Sequence, residues 1–81
     1  MKEKDIKEEM IEIAYAICIN NGHHSLSPFE QYAIVYNSVG LVEDIESKVL
    51  FRRFLSKPHM QHIKNNLDSY IVTEVTSKNR N

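Results

Sequence analysis

Eighty-one residues, 42% hydrophobic and 26% charged with a net charge of −1, describe one small globular domain and leave no room for a second. Only two glycines and two prolines exclude the low-complexity and disordered classes, and the longest apolar run, Ile13 to Ile19, is too short to span a bilayer. The net charge hides a division: residues 1–47 hold three lysines against nine acids, a balance of −6, while residues 48–81 hold seven bases against two acids, a balance of +5.

Such a polar chain offers an acidic surface to one partner and a basic one to another, or pairs head to tail with itself. A chain this short buries a limited share of its surface, and a homodimer is the simplest remedy. The opening Met-Lys-Glu-Lys-Asp is followed by no apolar stretch of signal-peptide type. The one cysteine, Cys18, has no internal partner for a disulfide and points to a reducing compartment, so a cytoplasmic protein without membrane association is expected. Nine isoleucines and seven asparagines fit an AT-rich coding sequence, as in many low-GC bacteria, their phages and mobile elements.

Ile6, Met10, Ile13, Ala14 and Ile17 recur at helical spacing with acids between them, predicting an amphipathic helix from Asp5 to Asn20 that stops at Asn20-Asn21-Gly22. Ser27-Pro28-Phe29-Glu30 is a capping box with proline at the first helical position, and Leu26 before it suits a hydrophobic staple. The second helix that follows carries Phe29, Tyr32, Ala33, Tyr36 and Val39 on its stripe and ends at Gly40.

A third helix is expected to start between Leu41 and Asp44 and to run to about Ser56, with Ile45, Val49, Phe51, Phe54 and Leu55 as its apolar set. Its acids come early and its bases late, an order that complements the helix dipole. Pro58 then forces a break. Met60, Ile63, Leu67, Tyr70 and Ile71 predict a fourth helix to about Thr73, although Tyr70 to Thr76 is also rich in strand-favouring residues. Residues 77–81 read as a polar frayed tail. The fold class is therefore a single all-α domain of four helices, with a winged-helix α+β arrangement closed by a short C-terminal hairpin as the alternative.

No catalytic constellation emerges. His23, His24, His59 and His62 match no zinc-finger spacing, so they read as solvated side chains rather than ligands, and neither metal nor cofactor is expected. Cys18 next to Ile17 reads as a buried, inert thiol, because no base and orienting partner accompany it. The carboxylates cluster at helix starts and polar faces, and the two glycines build no phosphate loop. The chain is read as a non-enzyme.

The informative charges are basic. Arg52, Arg53, Lys57 and Lys64, with Lys48, His59 and His62 nearby, are expected to form a corner between helices three and four that suits an acidic protein or a phosphate backbone. Helix two, Gly40 and helix three invite a helix-turn-helix reading, but Glu43, Asp44 and Glu46 would lead the recognition helix and repel phosphates. Tyr15 and Ile19 lie off the main stripe of helix one, as Ile34 and Val35 do on helix two, and a second apolar face on a small domain marks an interface.

Residues 9–17, with Glu9-Met10-Ile11-Glu12-Ile13-Ala14-Tyr15-Ala16-Ile17, then Leu26-Ser27-Pro28-Phe29-Glu30-Gln31 and Val39-Gly40-Leu41, resemble the helix-turn-helix module of the bacterial RNA polymerase delta subunit. Phe51-Arg52-Arg53-Phe54 falls where that family has its third helix, while residues 58–71 read as helix in place of the family's closing wing. The resemblance implies a transcription-linked, non-enzymatic module and lends no functional residue to this chain. The expected function is that of a small regulatory or adaptor protein binding a larger protein through Arg52, Arg53, Lys57, Lys64, Tyr15 and Ile19. A transcription-associated nucleic-acid binder using the same basic corner is the alternative.

Overall fold

The computed structural model describes residues 5–20 and 23–67, and among them the protein is built of helices with no strand. The order is α1 (Ile6–Asn20), α2 (Pro28–Val39) and α3 (Ile45–Leu55), followed by α4 over residues 58–67. The all-α expectation therefore holds. The strand alternative at Tyr70 to Thr76, the helix end near Thr73, the stop at Gly22 and the tail 77–81 lie outside the described residues.

Local chemistry explains each start. Ser27 adopts an extended conformation and its Oγ accepts from the Glu30 amide at 3.2 Å, while the Glu30 carboxylate accepts from the Ser27 amide at 3.2 Å. Two orphan amides of the helix start are thereby satisfied, and Pro28 has no amide to lose. At α3 the cap is Asp44, whose carboxylate accepts from the Ser47 amide at 2.8 Å. The helix expected from Leu41 onward thus begins only at Ile45, because Asp44 captures the amide and holds itself extended. Residues 42–44 form a connector, and Val42 is buried in it.

Leu41 and Val42 both donate their amides to the Ser38 carbonyl, at 3.0 and 3.2 Å, which closes the end of α2. Gly40 stands there at φ −77°, an ordinary right-handed conformation, so it stops the helix without using the freedom peculiar to glycine.

The core is shared by all four helices. Ala14 and Ile17 come from α1, Tyr32 and Val35 from α2, Phe51 and Phe54 from α3, Met60 and Ile63 from α4, joined by Val42 from the connector. Ser38 is the buried polar side chain among them, and its Oγ donates to the Met10 carbonyl at 3.3 Å, tying α2 to α1. Several assignments from periodicity change, and Ile6 of the α1 stripe and Phe29 of the α2 stripe are themselves 75% and 40% exposed. Val35, placed off the stripe of α2, is fully buried, and Ile34 packs beside the core, so neither forms a second face. Tyr36, placed on the stripe, is 60% exposed and stacks on Tyr32 with ring centroids 5.9 Å apart. Ile45 and Val49, counted in the apolar set of α3, point away from the core at 77% and 45% exposure.

Candidate functional site

Helix α3 commits Phe51 and Phe54 to the core. At 3.6 residues per turn, the opposite side of the helix then belongs to Ile45 and Val49, four residues apart, with Arg52 and Arg53 on its two edges. These two exposed β-branched side chains form an apolar strip on the outward face of the helix, and covering it would be favourable.

Each edge of α3 opens into a cleft. On the α1 side, Tyr15, Asp44, Ile45, Glu46, Val49 and Arg53 line a cleft of about 520 Å³, with Ser47 and Leu50 completing the lining. On the α2 side, Tyr36, Asn37, Val39, Gly40, Arg52 and Leu55 line a second cleft of about 500 Å³. Both clefts set a half-exposed or exposed tyrosine beside an arginine, and such pairs are enriched where proteins contact one another.

The expected basic side chains are therefore distributed over several places. Arg52 and Arg53 are adjacent in sequence, so their side chains diverge by roughly 100° and enter different clefts. Lys57 stands over the Phe54 ring, 5.4 Å from its centroid, beside a smaller recess of about 160 Å³ lined by Gln31, His59 and Met60. Lys64 is exposed on α4. Of the six side chains singled out from sequence, the structure brings Tyr15 and Arg53 to one cleft; Ile19, 53% exposed on α1, lies outside its lining. Sequence reasoning missed Tyr36, Ile45 and Val49 as surface features, and it read Glu46 as a solvated carboxylate with no part in binding. The signal was present in α3, because Phe51 and Phe54 already fill the core side and Ile45 and Val49 fall opposite them.

Among the described residues, Cys18 and Asp44 depart from their ordinary behaviour. Burial pushes the half-buried Cys18 thiol up to about 11, against the opposing pull of the Lys57 charge. This thiol stays protonated near neutrality and is a poor nucleophile. The Ser47 hydroxyl and amide hold the Asp44 carboxyl below the usual aspartate range. The histidines at positions 23, 24, 59 and 62 are exposed. His23 Nδ1 pairs with Ser25 Oγ at 2.6 Å, and His62 Nε2 with the Asn66 amide nitrogen at 3.0 Å. Among the described residues no three His, Cys, Asp or Glu side chains converge as metal ligands would, and no helix is long and apolar enough to cross a membrane.

Compared with protein-family models, with curated proteins and with solved structures, the chain matches none of them.

Proposed function

We propose that this chain is a small non-enzymatic regulatory or adaptor protein that acts in the cytoplasm by binding other protein chains through the outward side of α3. The observation that carries the reading is the pair of clefts flanking that helix, Tyr15 with Arg53 on one side and Tyr36 with Arg52 on the other. An aromatic ring offers large area at small entropic cost, and an arginine beside it supplies a planar donor for a carboxylate or carbonyl. The held-up Cys18 thiol is a poor nucleophile and takes no part in this reading.

The cleft of Tyr36 and Arg52 is the one we assign to a larger partner, because its lining contains no acid to repel an acidic protein surface. The test is capture of binding partners from a bacterial lysate by the immobilised full chain. A specific partner should be held by the wild type and lost when Tyr36→Ser and Arg52→Glu are combined, with the helical circular dichroism unchanged. Equal capture by the double variant would contradict the assignment.

A transcription-associated role on nucleic acid is the second reading, favoured by the exposure of Arg52, Arg53 and Lys64 together with the resemblance of residues 9–41 to the polymerase delta module. Phosphate binding needs several cations on one track, and here they separate, with Asp44 and Glu46 sharing the cleft of Arg53. Fluorescence anisotropy on duplex DNA and single-stranded RNA across a salt series separates the two readings. Micromolar binding that weakens steeply with salt and disappears in the Arg52→Glu, Arg53→Glu double variant would favour nucleic acid.

A further inference from the structure

The Tyr15 cleft carries opposite charges at its two ends, on one edge of one helix. Glu46 and Arg53 both line it and are seven residues apart. Seven residues are about two helical turns, so the two side chains share an edge and stand roughly 10 Å apart along the axis. Between them the outward face presents Val49, 45% exposed, with Ile45, 77% exposed, just before Glu46, and Tyr15 of α1, 49% exposed, walls the cleft.

An edge of this kind is its own complement in one orientation. When two copies lie antiparallel about a two-fold axis near Val49, each Glu46 meets the partner's Arg53, and the reciprocal pair forms by symmetry. The two valines meet at the centre. In the parallel orientation each charge would face its like. A heterologous partner would have to present both signs at matching spacing, whereas a second copy does so automatically, which is the property of an isologous contact.

We infer that a second copy of this chain docks here, through an antiparallel α3–α3 contact centred on Val49 and bordered by two Glu46–Arg53 pairs. This inference rests on the protein-binding reading and names one partner for it. The Tyr36 cleft stays on the other edge of α3, available to the larger partner.

The experiment is sedimentation equilibrium of the full chain from micromolar to millimolar concentration, on the wild type, Glu46→Arg, Arg53→Glu and an equimolar mixture of the two variants. The wild type should dimerise reversibly. Each single variant should weaken the dimer about tenfold or more, because symmetry turns one reversal into two like-charge contacts. The mixture should recover the wild-type strength, since each variant supplies the charges that the other has lost, and a variant damaged in its fold would not be rescued this way.

A wild type that stays monomeric over the whole range overturns the inference. So does a dimer indifferent to both reversals, or a mixture no tighter than its components. Partner capture that still depends on Tyr36 and Arg52 would then leave the wider binding reading standing. Charge-dependent dimerisation without such capture would instead keep the self-contact and remove the larger partner.

Discussion

The Ser38 hydroxyl donates to the Met10 carbonyl across 28 residues of sequence, at 3.3 Å, from a side chain with no exposed surface. It is a polar tie placed where α2 crosses α1, and its donor has no water to turn to. Ser38→Ala should therefore lower stability by about 1 kcal/mol, a neutral hydrogen bond's usual net contribution. For a domain of this size that is a fall in Tm of roughly 4–8 °C, read by thermal circular dichroism. An unchanged Tm would mean that the hydroxyl contributes nothing to the crossing.

The start of α2 rests on the reciprocal bonds of Ser27 and Glu30. Replacing Ser27→Ala leaves an amide of the first turn without its acceptor and should cost about 1 kcal/mol, while Ser27→Asp should retain most of the stability. Equal losses in both variants would contradict the capping account.

Gly40 closes α2 at φ −77°, and a Cβ placed on it would meet only the Asn37 carbonyl oxygen, at 4.0 Å. Alanine fits both the conformation and the space. Gly40→Ala should stabilise the protein by about 0.4–1 kcal/mol, mainly by restricting the unfolded chain. Thermal denaturation reads the gain directly, and a loss would show that the glycine is needed for more than its present conformation.

Asp44 caps α3, and the Ser47 donors hold its pKa below the unfolded value. The stabilisation from such a lowered carboxyl is present above the unfolded pKa and is lost as pH falls through the folded one. Acid titration of the helical signal should accordingly show a component below about pH 4 that is missing in Asp44→Asn, which keeps a capping oxygen without the charge. Superimposable acid limbs for both proteins would contradict the cap's ionic part.

Cys18, with its thiol pushed up to about 11, should react slowly with iodoacetamide at neutral pH while the protein is folded and far faster in denaturant. Lys57→Ala removes the charge that opposes the shift and should slow the folded-state reaction further. Rapid folded-state labelling would contradict the burial argument.

The start of α2 was the most legible part of the chain, because capping is local: Ser27-Pro28-Phe29-Glu30 contains its own donors and acceptors. The division of roles between neighbours was not. Val35 and Tyr36 lie three and four residues beyond Tyr32, and both spacings share its face on an isolated helix. Only the packing of α2 against its neighbouring helices decides that Val35 is buried and that Tyr36 leans on Tyr32 in the open. Within α3 a count of apolar residues hid two sets with different destinations, Phe51 and Phe54 inward, Ile45 and Val49 outward. The basic residues looked like one cluster in sequence because adjacency along a chain ignores the turn of the helix that parts Arg52 from Arg53.

Site-specific photo-crosslinking tests the central claim, that the outward side of α3 is a protein-contact surface, most directly. A photoactivatable residue would replace Tyr36, Val49 or, as a control on α4, the exposed Asn65, with irradiation in bacterial lysate. The account predicts an adduct of twice the chain mass from position 49, a heavier protein adduct from position 36, and neither from position 65. Adducts absent from positions 36 and 49, or formed equally at all three, would contradict it.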